Sequence, residues 1–180
     1  DPKCASGYAA VGNVYNALGM KEEEVNAREE YVRLRENDRG AHVNLLISRH
    51  ELGDQERLRI AAERAIPIFE RFIRLNPDHY YARVNFTGIL LWSGNRTSAL
   101  AAADELSAIE THDGAALYNL ACLYLNCNAP NRVMEHLRRA VAKGFKNIEI
   151  FRSDHDLDPL RGTAEFEELM KELEEKIARE

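Results

Sequence analysis

Residues 114–142 read GAALYNLACLYLNCNAPNRVMEHLRRAVA, and this stretch decides the fold. Leu117, Leu120, Ala121 and Tyr124 recur at i, i+3, i+4 and i+7. Beyond Cys127-Asn128-Ala129, the residues Val133, Leu137 and Ala140 keep the same rhythm. That spacing lines one face of an α-helix, and a half-buried strand would alternate instead. Asparagine between the two runs suits the left-handed conformation that ends a helix. The stretch therefore predicts two helices joined by a short turn.

The same layout recurs upstream. Turns fall at Leu18-Gly19-Met20, Leu52-Gly53-Asp54, Ser93-Gly94-Asn95 and Cys127-Asn128-Ala129, with successive centres 34, 41 and 34 residues apart. Internal periodicity of this length marks a repeat architecture. The longer middle interval holds seven extra residues, about two helical turns, within the stretch from Gln55 to Leu75. Pro67 lies inside that stretch, where a proline kinks or breaks a helix. Ile60, Ala61, Arg64, Ile68, Phe69 and Phe72 keep a rough helical period through it, so a kinked long helix is expected over a break near Ile66. At Asn76-Pro77-Asp78 the proline should stop one helix and Asp78 should cap the next. Strand signals are absent, and an all-α chain is expected.

These residues resemble the tetratricopeptide repeat (TPR). The fourth unit fits best, with the seven apolar positions just named. The third offers Phe86, Thr87, Leu90, Gly94, Ala99, Ala103 and Leu106, and the first Gly12, Tyr15, Leu18, Gly19, Ala27, Tyr31 and Leu34. The second is the most divergent, with Arg49 where an aromatic is usual. The resemblance implies a right-handed α-solenoid of helix pairs, in which each unit buries its apolar face on its neighbours. The expected repeats are residues 5–38, 39–77, 78–111 and 112–145, followed by a C-terminal cap over 146–180, all in a single domain. Phe145 to Ile150 should form a short helix, and Asp154 to Leu160 a turn. Thr163 should cap a last helix running to Ala178 on an apolar stripe of Phe166, Leu169, Met170 and Leu173. Lys143-Gly144-Phe145, Asp156-Leu157-Asp158-Pro159-Leu160 and Glu165-Phe166 resemble the end of repeat regions attached to bacterial adenylate cyclases, serine/threonine kinases and winged-helix regulators.

Composition narrows the function. The chain has 180 residues, is 45% hydrophobic and carries a net charge of −6. An acidic chain is a poor grip for nucleic acid or anionic lipid, and no apolar run approaches the roughly 20 residues of a membrane span. Three cysteines argue against a disulfide framework. The first residue is Asp1, so a piece of a longer protein is expected. The sequence has no glycine-rich phosphate loop, no nucleophile elbow and no His-Glu-x-x-His. Cys122 and Cys127 are expected as small core residues. Asp154, Asp156, Asp158 and Glu165 have the offsets of a calcium loop, but Pro159 stands where its glycine must be. No catalytic residue, metal or cofactor is expected.

In proteins of this fold the first helix of each unit lines a concave groove. Alignment on the turns puts Asn44, Asn85 and Asn119 at one register, nine residues before each turn centre, with Asn13 three places later in its own unit. An asparagine amide both donates and accepts, so a row of them can hold the backbone of an extended peptide. Tyr81, Tyr118, Trp92 and Ile47 are the neighbouring candidates for apolar pockets. The resemblance also implies a test for the family's clamp on C-terminal carboxylates. Asn13 and Asn44 match it, but Ala9, Tyr81 and Asn85 replace its cations. The expected function is a non-catalytic protein-interaction module that takes a protein or peptide, neither nucleic acid nor a membrane. The alternative is a regulatory or dimerisation module, a homodimer included, of a larger bacterial signalling protein, with the groove filled by its own chain. Free cysteines favour the cytoplasm; a membrane-anchored head would place the repeats outside it.

Overall fold

The four turn centres of the sequence all adopt the left-handed conformation. In the computed structural model Gly19, Gly53 and Gly94 have φ of 70°, 77° and 88°, and Asn128 has φ of 57°. A Cβ disfavours this region, and glycine or asparagine accepts it at least cost. The structure describes residues 4–178, and every regular element among them is helical. The chain falls into two compact units, residues 1–95 and 96–180.

The first unit holds α1 (Ala5–Ala17), α2 (Lys21–Leu34), α3 (Arg39–Leu52), α4 (Gln55–Leu75) and α5 (Tyr80–Trp92). Successive helices pack on one another. The carboxylate of Asp38 accepts from the Ala41 N–H at 3.1 Å and starts α3, and Asp54 does the same for α4 through the Arg57 N–H at 3.2 Å. Each satisfies one orphan donor of a helix start. The cap of α5 is a correction to the sequence reading. His79, not Asp78, caps it, with Nδ1 accepting from the Ala82 N–H at 3.2 Å. Helix α4 runs unbroken through Pro67. Pro67 is exposed, so the Glu63 carbonyl that loses its helical donor lies on the solvent side. Leu46, Leu58, Ala61, Ala62, Ala65, Phe69 and Ile89 form the apolar core of α3, α4 and α5.

The second unit holds α6 (Arg96–Ser107), α7 (Gly114–Asn126), α8 (Val133–Ala142), α9 (Ile148–Ser153) and α10 (Ala164–Ala178). A 3-10 turn at Pro130–Arg132 leads into α8, and another at His155–Leu160 follows α9. The short helix of the tail thus starts three residues later than expected, at Ile148, and the expected turn over 154–160 is helical. Asp113 caps α7 by accepting from the Ala116 N–H at 3.0 Å. Thr163 precedes α10 as expected, but its hydroxyl donates back to the Leu160 carbonyl at 2.7 Å instead of capping forward. Leu117, Leu120, Ala121, Tyr124, Val133, Leu137 and Ala140 are all fully buried. Gly114 lets α7 approach the end of α8: a Cβ there would stand 2.8 Å from the Ala140 carbonyl oxygen. Phe166, Leu169 and Leu173 bury the inner stripe of α10. The charged run 171–180 is exposed at most positions up to Ala178, and its last two residues lie outside the described part.

Candidate protein-interaction surface

On α3 the exposed positions Gly40, Asn44, Ile47 and Glu51 recur at i, i+4, i+7 and i+11. They form one stripe along the helix. On α5 the same register holds exposed Tyr81, half-buried Asn85, buried Gly88 and half-buried Trp92. The two helices meet near their C-terminal ends, where the rings of His50 and Trp92 lie 5.6 Å apart. Ile47 is 42% exposed and Tyr81 44%. Asn13 is exposed on α1. The side-chain amides of Asn13, Asn44 and Asn85 make no hydrogen bond to protein among the described residues. None of them is a fully buried unpaired group. Each therefore keeps its donors and acceptor turned to water.

The scaffold behind this stripe is polar. Glu24 of α2 is 2% exposed. It accepts from Arg28 Nε at 2.8 Å, from the Ser48 hydroxyl at 2.7 Å and from Lys21 Nζ at 3.3 Å. Burial pushes its carboxyl up, but the bonds from Ser48 and Arg28 outweigh that and hold it below the ordinary value. Lys21 also pairs with Glu51, and this bond raises its pKa. Arg49, buried on α3, pairs with Glu29 of α2 and with Asp54 at 3.5 Å. Among the described residues its Nε finds no acceptor. These ion pairs fix α2 against α3 and so set the orientation of the Asn44 stripe. Sequence reasoning missed the Glu24–Arg28–Ser48 set. Its one local signal was the i, i+4 spacing of Glu24 and Arg28.

The second unit treats its matching face differently. Asn119 is half-buried at its register on α7, with its amide unpaired among the described residues. Tyr118 is only 4% exposed. Its ring lies tilted against Phe145, with centroids 4.7 Å apart, and meets the edge of Phe151 at 5.2 Å. Its hydroxyl donates to Asp154 at 2.6 Å. Tyr118 is thus covered by the chain's own tail and presents no open surface, which corrects its place among the groove residues. The Cys122 thiol lies 3.9 Å from the same carboxylate oxygen. Desolvation and the nearby aspartates push that thiol well above its ordinary value, as expected of an inert core cysteine. Cys122, Asp154 and Asp156 bring their polar atoms within 4.8 Å of one another. The Asp154 oxygens already serve Tyr118 and the Asp156 N–H, at 2.9 Å, so the cluster works as a clasp for the tail.

No protein-family model matches the chain. A chloroplast protein of Arabidopsis thaliana is 34% identical over 65 residues, which is 36% of this chain. The match spans 19% of that curated relative's length. Among solved structures, a MamA RS-1 ArsTM double mutant superposes with a TM-score of 0.50 at 22% identity, over 98% of this chain and 97% of that one. A second MamA structure gives 0.51 at 17% identity, over 83% of each chain. YrrB, described as a TPR protein with an unusual peptide-binding site, gives 0.50 at 22% identity over 82% of this chain and 73% of its own. At these identities the likeness is one of fold. The chain has a TPR-like all-α repeat fold of helix-turn-helix units with a capping helix. No described helix is long and apolar enough to cross a membrane.

Proposed function

We propose that the chain is a non-catalytic protein-interaction module, and that the α3–α5 face of its first unit holds an extended peptide segment. The observation that carries this reading is the shared register of Asn44 and Asn85. Among the described residues their amides have no protein partner, and they stand beside exposed Ile47 and Tyr81. The amides would bond the peptide backbone, and Ile47, Tyr81 and Trp92 would take its apolar side chains. Asn13 on α1 extends the polar surface of that unit, and Asn119 offers a like group on the second. That YrrB, of similar fold, has a peptide-binding site supports the reading. Two amide contacts at about 0.5–1.5 kcal/mol each amount to roughly 5- to 150-fold in Kd. Panning a random displayed peptide library on the full chain supplies the ligand. Its affinity is then compared with that for the Asn44→Ala/Asn85→Ala double variant by fluorescence anisotropy. Unchanged affinity would sink the assignment.

A second reading is favoured by the cover on Tyr118. Here the second unit's face is permanently occupied by residues 145–160, and the chain serves as a regulatory module of a bacterial signalling protein. The tail motif suggests a cyclase, kinase or winged-helix regulator as its setting, and the free cysteines a cytoplasmic one. Under this reading a saturating selected peptide leaves amide exchange over 148–160 unchanged. Faster exchange there would mean that the peptide displaces the tail, and would contradict it.

A further inference from the structure

Helix α4 is 21 residues long, against 14, 12 and 10 for α2, α6 and α8. From Glu56 to its C-cap Asn76 it is written in three seven-residue blocks, ERLRIAA, ERAIPIF and ERFIRLN. Glu56, Glu63 and Glu70 therefore form one column, and Arg57, Arg64 and Arg71 a second. All six are exposed. Neighbouring residues point about 100° apart on a helix and do not face one another, so the columns cannot neutralise each other within it. Arg59 bridges Glu56 and Glu63, and Arg57 lies 3.6 Å from Asp54. Arg64, Arg71 and Glu70 make no ion pair among the described residues. Between the columns runs a narrow seam of half-buried Ile60 and exposed Pro67, ending at Arg74. This seam is diametrically opposite the buried side chains Leu58, Ala62, Ala65 and Phe69.

We propose that this outer face of α4 is the seat of a second copy of the chain, with the two α4 helices parallel and in register about a two-fold axis. The charge pattern selects the occupant and the orientation. A two-fold axis along the helices sets the glutamate column of each copy against the arginine column of the other. Glu56 then faces Arg57 of the second copy, Glu63 faces Arg64 and Glu70 faces Arg71, each contact made twice. An isologous interface of this kind needs a self-complementary patch, and the repeated Glu-Arg step supplies one. An antiparallel pair would set glutamates on glutamates and arginines on arginines. The parallel pair also places Ile60 on Ile60 and Pro67 on Pro67, which gives the interface an apolar centre. This inference is independent of the peptide-binding face on α3 and α5.

The test uses the full chain and two charge variants, Glu56→Lys/Glu63→Lys/Glu70→Lys and Arg57→Glu/Arg64→Glu/Arg71→Glu. Circular dichroism first establishes that both keep the wild-type helix content. Sedimentation is then followed over a dilution series. The wild-type chain is expected to dimerise at low salt and to lose the dimer at 1 M salt, where charges are screened beyond about 3 Å. Each variant alone is expected to be monomeric, and an equimolar mixture to form a heterodimer. In a Cys4→Ser background, Ile60→Cys is expected to cross-link to its own copy on mild oxidation. A wild-type chain that stays monomeric would overturn the proposal. So would variants that dimerise as well as wild type, a mixture that does not associate, or Ile60→Cys chains that fail to cross-link.

Discussion

Replacing Glu24 tests how the Asn44 face of α3 is held against α2. Its carboxylate is buried and takes short hydrogen bonds from Arg28 and Ser48. Glu24→Ala strands the Arg28 guanidinium, which is only 9% exposed, and leaves the Ser48 hydroxyl without that acceptor. Breaking a buried ion pair from one side costs about 3–5 kcal/mol. For chains of 150–250 residues each kcal/mol moves Tm by about 2–4 °C, so a fall of roughly 6–20 °C is expected at pH 7. Glu24→Gln keeps the shape and an acceptor oxygen and should lose less. The folded-state pKa lies below the unfolded value. The carboxylate's contribution is therefore fully present above the unfolded value, about 4.3, and is lost as pH falls through the folded one. Thermal unfolding followed by circular dichroism should show wild type above Glu24→Gln at pH 7, with the gap closing in acid. A Glu24→Ala Tm within a degree or two of wild type, or a wild-type–Gln gap that persists at pH 2, would refute the reasoning.

Four further outcomes follow from the packing. Gly114→Ala drives a Cβ to within 3.0 Å of backbone atoms of Ala140 and Phe145, and should cost about 1–3 kcal/mol of overpacking in urea unfolding. Gly12→Ala meets the Arg28 side chain at 3.4 Å and the Ala27 Cβ at 3.8 Å, both ordinary contact distances, and should be neutral or stabilising by up to about 1 kcal/mol. Tyr118→Phe removes the 2.6 Å bond to Asp154; hydrogen exchange should quicken over residues 148–160 and stay unchanged in α8. Cys122 and Cys127 are buried with raised pKa values, whereas the half-buried Cys4 has a lowered one, chiefly through its bond with Ser6. A chromogenic disulfide reagent at pH 8 should titrate one thiol quickly in the native chain and three in denaturant.

The parts of the fold that rest on local chemistry were legible in the sequence. Gly19, Gly53, Gly94 and Asn128 announced their turns because few residues tolerate positive φ. The buried set of α7 and α8 followed from its 3.6-residue period. The α4 stretch read as one helix because its apolar stripe continues past Pro67. The features that depend on partners far along the chain were not legible. Ser48 reaches Glu24 across 24 residues and Asp154 reaches Tyr118 across 36, and no periodicity encodes either pairing. Tyr118 therefore read as a groove aromatic when the tail covers it. His79 displaced Asp78 as a cap because the helix begins one residue later than the acidic signal suggests. Asn44 and Asn85 share the register their spacing implied.

The most direct test of the central claim watches the two amides themselves. Peptides selected on the full chain are titrated into isotope-labelled protein, and the side-chain NH2 signals of the asparagines are followed by NMR. The account predicts that the Asn44 and Asn85 amide signals shift and slow their exchange with water on saturation, while exposed Asn37, two residues before α3, stays unmoved. Saturable binding that leaves the Asn44 and Asn85 signals in place would contradict it.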